Sequence, residues 1–256
     1  MEKSQIVWCD VLESTNQWMR DRLAHQGMPE LSEGSVIVAD FQLAGRGQMG
    51  NSWESAEGMN LLFSLLLRPQ FLRANAQFVL SEAVSLTLYD LLSESLGVGV
   101  SIKWPNDLYY KDSKIAGILI EHDLMGSAIS ASIVGVGLNV NQEAFVSDAP
   151  NPTSMACVCG VAFDRSRLLD RFRVILSSYY ETLRSGDRAS IHRLYLQRLY
   201  RSDGFYAFRT VERGVFRAAI VDVLESGHLV LEDAEGVRTA YFFKEVSFCL
   251  VEGAIR

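Results

Sequence analysis

The segment Gln42-Leu43-Ala44-Gly45-Arg46-Gly47-Gln48-Met49-Gly50-Asn51-Ser52-Trp53 contains a literal G-x-G-x-x-G directly after a strand-like run, VIVADFQ. The residues after such a loop decide between folds. A dinucleotide-binding turn opens straight into a helix and needs an acidic residue about 20 positions on. Here the glycines lead into Asn51-Ser52-Trp53-Glu54-Ser55-Ala56-Glu57-Gly58, a loop composition, and no Asp or Glu occurs from Leu61 to Leu80. The dinucleotide reading fails on both counts. No Gly-Lys-Ser/Thr comes next to make a Walker loop, and no H-R-D or D-F-G occurs to make a kinase. What remains is a loop suited to an anion. Consecutive glycine N–H groups can turn toward one point, and Arg46 among them is a planar, permanent cation matched to phosphate or carboxylate. The bland alternative is a tight turn with a solvated arginine.

Periodicity around the loop predicts a mixed chain. Ser14 or Thr15 can cap a helix running through Trp18, Met19 and Leu23 until Gly27 stops it. Ser35 to Gln42 alternates like a strand, and Asn60 to Arg68 reads as a buried strand ending at Pro69. Ala74 to Leu96 is a long amphipathic helix ended by Gly97. Gly99 to Trp104, Lys114 to His122 and Ala128 to Val136 read as strands, joined by turns at Asp112-Ser113 and Met125-Gly126-Ser127. Asp164 to Gly186 and Arg188 to Tyr200 read as helices. Beyond Asp203-Gly204, short strands separated by Glu212-Arg213-Gly214, Glu225-Ser226-Gly227 and Asp233-Ala234-Glu235-Gly236 predict a small closed barrel. The expected division is 1–204 and 205–256.

Charge narrows the function. A net charge of −7 lacks the basic stripe of a nucleic-acid binder, so no such partner is expected. The longest apolar run, Leu61 to Leu67 broken by Ser64, is too short for a bilayer. MEKSQIVWCD lacks a basic region followed by an apolar stretch, so a cytoplasmic protein without a signal peptide is expected. Cys9, Cys157, Cys159 and Cys249 form no C-x-x-C pair and read as buried, reduced thiols. His25, His122, His192 and His228 lie far apart, which argues against a structural zinc site.

Three further pieces carry chemistry. Lys103-Trp104-Pro105-Asn106-Asp107 ends a strand, where Pro105 places Asn106 and Asp107 outside the ladder. Lys114-Ile115-Ala116-Gly117-Ile118-Leu119-Ile120-Glu121 begins the next, with Lys114 either functional or an exposed edge charge. Gly135-Val136-Gly137-Leu138-Asn139-Val140-Asn141 puts glycines inside a strand, where a ligand or another backbone comes close, or a bulge forms.

With Ser14-Thr15-Asn16 and GRGQMGNSW, in that order, these motifs resemble the biotin–protein ligases (biotin–[acetyl-CoA-carboxylase] ligases). The resemblance covers nearly the whole chain. It implies an α+β fold: a catalytic domain like class II synthetases, with a mixed sheet flanked by helices, and a C-terminal SH3-like barrel. It also implies two reactions. Biotin attacks the α-phosphate of ATP to give biotinyl-5′-adenylate, and a lysine of a biotin carboxyl carrier protein domain then takes the biotinyl group. Mg2+ is implied with ATP. Ser14, Thr15, Asn16 and Gln42 match the polar groups around the ureido ring. Trp53, Gly117 and Leu119 match the apolar wall around the ring and chain. Arg46 and Lys114 match the positions that hold carboxylate and phosphate, with Gly47 and Gln48 beside them. Gly45, Arg46, Gly47, Lys103, Asn106, Lys114, Gly135, Gly137 and Asn139 match the nucleotide site, with Asn139 facing adenine. Asp107 is the candidate for orienting or deprotonating the acceptor lysine, which makes Lys114, Arg46 and Asp107 the catalytic set. Segment 140–155 is a candidate cover over the adenylate.

Two departures stand out. Gln48 occupies a place where the family usually has a second arginine. The Ser-Thr-Asn motif begins at residue 14, so a monofunctional type without an N-terminal DNA-binding domain is expected. A homodimer is the assembly to test. The competing readings are a lipoate–protein ligase and a biotin-binding sensor that has lost catalysis.

Overall fold

A computed structural model describes residues 4–25, 31–146 and 151–249. The expected helix stop at Gly27, part of segment 140–155 and the chain past 249 lie outside the described residues. Strands β1 (Ile6–Leu12), β2 (Val36–Gln42), β3 (Leu61–Leu67), β4 (Val100–Lys103), β5 (Asp107–Tyr110), β6 (Ser113–Met125) and β7 (Ala128–Leu138) form one sheet in the order β1-β2-β3-β7-β6-β5-β4. β1 and β2 are parallel, and all other neighbours are antiparallel.

Strand β3 shows how the layers are set. Its odd residues Leu61, Phe63, Leu65 and Leu67 join a core with helices α2 (Phe78–Leu96) and α4 (Arg165–Arg184), where Phe63 meets Phe172 edge-on at 5.0 Å. On the opposite face Leu66 packs with Ile37, Ile133 and Met19 of helix α1 (Thr15–Ala24). A strand covered on both faces reads as a continuous apolar run, as LLFSLLL does. Helix α3 (Met155–Cys159) and helix α5 (Arg188–Gln197) complete the layer that holds α2. Because α1 is short, it covers only part of its face, and the rest stays open.

The second sheet contains β8 (Phe205–Thr210), β9 (Gly214–Val223), β10 (Leu229–Asp233), β11 (Arg238–Tyr241) and β12 (Ser247–Phe248), ordered β11-β10-β9-β8-β12 and antiparallel throughout. The expected closed barrel does not form among the described residues. β12 is only two residues long and does not pair across to β11, so the sheet stays open. The two sheets are stapled together at three places. Trp104 Nε1 donates to Gly227 O at 2.9 Å and its ring meets Phe243 at 6.2 Å. His192 of α5 bonds both Glu82 of α2 at 2.8 Å and Asp222 of β9 at 3.0 Å. Phe248 lies under the Lys103 ammonium at 5.4 Å.

The four cysteines are free, but the expectation of burial fails: Cys157 and Cys159 are exposed and Cys9 and Cys249 half-buried. No described helix is long and apolar enough to cross a membrane.

Candidate active site

Cross-strand register builds the site. On the open face one row runs Leu62, Gly137, Gly117, Asp107, Lys103 across β3, β7, β6, β5 and β4. The next row runs Ile37, Ser64, Gly135, Leu119 across β2, β3, β7 and β6. Lys114 joins the first row through an irregularity. Leu108 pairs with Ala116 but Tyr109 pairs with Lys114, so β6 carries one extra residue. In a regular strand, residues three apart face opposite ways. The extra residue re-aims the side chain, and the Lys114 Cε lies 3.5 Å from where a Cβ on Gly117 would stand. Lys114 Nζ then meets Asp107 Oδ1 at 2.7 Å.

The glycines form a floor without Cβ atoms. A Cβ on Gly137 would sit 2.4 Å from Trp53 Cε2, and one on Gly117 would sit 2.8 Å from Trp53 Cζ3. A Cβ on Gly135 would sit 2.3 Å from Asn16 Oδ1. The close approach expected at these glycines is therefore made by Trp53 and Asn16. The indole lies against the floor at Gly117 and Gly137, with its buried Nε1 lacking a hydrogen-bond partner.

At the α1 end the polar groups form a chain. Gln42 Oε1 accepts from Thr15 N at 2.8 Å and Thr15 Oγ1 at 3.1 Å. Ser64 Oγ lies 2.8 Å from Thr15 Oγ1 and 2.5 Å from Asn16 Oδ1. Asn16 Nδ2 donates to Glu121 Oε2 at 2.8 Å. Ser14 occupies the N-cap of α1 without using its hydroxyl in the cap.

Loop 45–53 is closed by its own backbone. Gly47 N donates to Asn51 O at 2.6 Å, Asn51 N to Gln48 O at 3.2 Å, and Trp53 N to Gly45 O at 2.9 Å. Of the glycine N–H groups, that of Gly47 is therefore engaged within the loop. Arg46 reaches Glu121 Oε2 at 3.0 Å, and Arg20 pairs with the other oxygen of the same carboxylate at 3.2 Å. Lys103, in contrast, has no carboxylate partner among the described residues; it lies over the rings of Tyr109 at 4.8 Å and Phe248 at 5.4 Å. Burial lowers its ammonium below the usual lysine range, against the opposing pull of the Asp107 carboxylate and with the help of the Lys114 and Arg201 cations.

These groups line two adjoining compartments. The inner one is bounded by Ser14, Thr15, Asn16, Gln42, Arg46, Gly47, Gln48, Trp53, Asn106, Gly117, Leu119, Gly135 and Gly137. The outer one is bounded by Glu54, Tyr109, Asn139, Phe145 and Pro152. Asn51, Ser52, Trp53, Lys103, Asp107, Lys114 and Phe243 border both. Asn139 donates its Nδ2 to Thr153 O at 3.0 Å, while its buried Oδ1 has no partner. Gly45 is buried behind Trp53, where a Cβ would stand 2.6 Å from the Trp53 carbonyl oxygen. Among the expected site residues, Gly45 and Asn139 are thus the two outside the inner compartment.

Reading the sequence missed Ser64, Glu121, Arg20 and Phe243. Ser64 had a signal, as the one hydroxyl in a seven-residue apolar strand. Glu121 stood at the end of a quoted motif without a role. Phe243 had no local signal, because only folding brings it to the cleft.

Comparison with known proteins points the same way. The model of the biotin/lipoate A/B protein ligase family matches residues 8–139. The bifunctional ligase/repressor BirA of Bacillus subtilis (strain 168) is 31% identical over 242 residues, spanning 92% of this chain and 72% of that protein. The biotin–[acetyl-CoA-carboxylase] ligase of Paracoccus denitrificans is 32% identical over 217 residues, spanning 81% of this chain and 88% of that protein. The structure of biotin protein ligase from Aquifex aeolicus in complex with biotin and ATP matches with a TM-score of 0.76 and 25% identity, over 95% of this chain and 97% of that one. Matched in sequence across β1 to β7 and in fold across both sheets, this chain belongs to the biotin/lipoate A/B protein ligase family.

Proposed function

We propose that the chain is an ATP-dependent biotin–protein ligase that makes biotinyl-5′-adenylate and passes the biotinyl group to a lysine of a biotin carboxyl carrier domain. One observation carries this reading: the polarity along the cavity. Neutral donors and acceptors lie at the α1 end with Arg46 beside them through the shared Glu121 carboxylate, and an indole on a glycine floor reaches the seam, where the cations Lys103 and Lys114 stand. A ureido ring is neutral and has both donors and acceptors, which suits Ser14, Gln42, Thr15 and Asn16. A lipoyl chain ends in an apolar dithiolane and would leave those groups unpaired at a cost.

In the first step a biotin carboxylate oxygen bonds to the α-phosphorus, the bond to the bridging oxygen breaks, and pyrophosphate leaves with the electron pair. Two anions must meet, so cations positioned beforehand stabilise the transition state. Arg46 and Lys114 supply that charge, Gly47 and Gln48 border it, and Lys103 and Asn106 stand on the nucleotide side. Asn139 Oδ1, a buried acceptor without a partner, fits the adenine amino group. Magnesium enters as MgATP, the substrate. In the second step the acceptor amine attacks the acyl carbon, AMP leaves, and the amine's proton goes to Asp107 or water. An amine with a pKa near about 10.4 needs such an acceptor at neutral pH.

The same reading divides the chain into a catalytic domain, 1–204, and a C-terminal domain, 205–256, supported by the second sheet beginning at Phe205. It also places the protein in the cytoplasm. The test is incubation with biotin, MgATP and a carrier domain, followed by streptavidin detection. A labelled carrier is expected, and an unlabelled one overturns the reading. Calorimetric titration with biotin and lipoate separately decides the substrate.

A further inference from the structure

The seam between the two compartments is the place where a reacting atom can be reached from both sides. All but one of the residues on it belong to the first sheet and the loop over it. The exception is Phe243, in the turn that joins β11 to β12 of the second sheet. Its position is held from several directions. Its ring meets Trp104 edge-on at 6.2 Å. The Trp104 indole is itself tied to Gly227 O at 2.9 Å. The turn is closed by Phe242 N donating to Glu245 Oε2 at 2.6 Å and by a bridge between Phe243 and Val246. A half-buried ring thus stands at a mouth otherwise lined by Lys103, Asp107 and Lys114.

An apolar wall there has no use for the phosphates, which want the cations opposite it. It does suit the second nucleophile. A lysine side chain presents four methylenes behind a charged head, and such stems lie along apolar surface while the head stays polar. We propose that Phe243 is a specificity-determining residue for the acceptor: it lines the passage along which a lysine stem enters, so that its amine arrives beside Asp107. This inference rests on the ligase reading above. The step it serves forms the bond between the lysine nitrogen and the biotinyl carbon and breaks the bond from that carbon to the phosphate oxygen. AMP leaves with the electron pair, and the nitrogen's proton passes to Asp107 or solvent.

The test compares two nucleophiles on the full chain. A biotin carboxyl carrier domain offers a lysine stem, whereas hydroxylamine attacks the same acyl carbon without one. Phe243→Ala is expected to lower kcat/KM for the carrier by about tenfold, as loss of a central aromatic contact does. Because the ring also borders the inner compartment, the result is read as a ratio: the carrier reaction should fall several-fold more than biotin-dependent ATP–pyrophosphate exchange and the hydroxylamine reaction. Phe243→Leu, which keeps an apolar wall and the packing on Trp104, should restore most of the carrier reaction. Equal loss with both nucleophiles, equal loss in exchange, or no loss with the carrier would each overturn the proposal. Should wild type show no exchange at all, the ligase reading fails first, which separates the two.

Discussion

Two ion pairs each put a cation on the inner compartment, and they are built differently. Lys114 and Asp107 rise from neighbouring strands, meet at 2.7 Å, and are 23% and 19% exposed. The ladder between β5 and β6 fixes one flank of Lys114, and residues 151–153 clamp the other: Lys114 N donates to Asn151 O and Thr153 N to Lys114 O, each at 2.9 Å. Arg46 and Glu121 meet at 3.0 Å, but the arginine sits on a loop closed only on itself and is 40% exposed. An exposed pair contributes about 0–1 kcal/mol. The loop pair can therefore be traded for a ligand anion at little cost, while the strand pair is a fixed frame on which that ligand is aligned. Both cations hold counter-ions within the protein, so binding substrate exchanges partners and does not bring in bare charge.

Removing the fixed cation tests this contrast most severely. Lys114→Ala takes away a preorganised donor, and such a loss lowers rate by about 100–1,000-fold. Biotin-dependent pyrophosphate release should nearly vanish while circular dichroism and melting stay close to wild type. Near-normal adenylation by a folded variant would remove Lys114 from the frame.

Its partner should divide the two reactions. Asp107→Asn keeps the shape but loses the proton acceptor, so transfer to the carrier should fall by about 100-fold. The defect should shrink as pH rises toward the amine's own pKa, because more of the lysine is then neutral. Lys114 keeps its place through its backbone clamps, so adenylation should fall less. Equal damage to both reactions, unchanged by pH, would make Asp107 a support for Lys114 and nothing more.

How much of this was readable from the chain depends on how local each feature is. The apolar run of β3, the α2 pattern and the helices near 165–184 and 188–197 come from periodicity, and the structure has them within a few residues. β1 was missed. As an edge strand paired only to β2, it is half exposed, and Trp8, Asp10 and Val11 blur the alternation. β5 was missed: Pro105 was expected to leave Asp107 outside the ladder, but Asp107 opens β5 and pairs with Lys103 on one side and Gly117 on the other. The site was readable as motifs but not as geometry. Plain alternation through KIAGILIE puts Lys114 on the face opposite Gly117, and only the extra residue in β6 brings them together. The closed barrel was inferred from strand spacing, which carries no information on whether the last strand is long enough to pair.

Gln48 sharpens the loop side of the comparison. It borders the inner compartment next to Arg46, where the family usually offers a guanidinium. A hydrogen bond to a charged group contributes about 1.5–3 kcal/mol against about 0.5–1.5 for a neutral pair. Glutamine and arginine at this position would both face the adenylate anion, so the expected gain from Gln48→Arg is at the small end. Release of biotinyl-adenylate should slow by about fivefold, with biotin affinity little changed. Stopped-flow release decides it, and equal off-rates would mean that the side chain at 48 does not touch the intermediate.

The smallest effect is expected where the loop pair itself is opened. Glu121→Gln removes the charge that holds Arg46, yet the amide oxygen still accepts from Asn16 Nδ2, whose bond to Glu121 is 2.8 Å. The α1 end of the cavity therefore keeps its arrangement, and only the competition for the guanidinium changes. Glu121 also serves Arg20 at 3.2 Å, and Arg20 has Asp123 as a second partner at 3.5 Å, so that cation is not stranded. Because a pair this exposed is worth under about 1 kcal/mol, freeing Arg46 should tighten biotinyl-adenylate by roughly threefold. The gain should be largest at low ionic strength, where exposed charges are least screened. Biotin alone should gain less, since its carboxylate carries the charge without the phosphate. A weaker adenylate would show that Glu121 aims Arg46 at the ligand instead of competing for it. The two ion pairs would then be alike, both parts of one rigid frame.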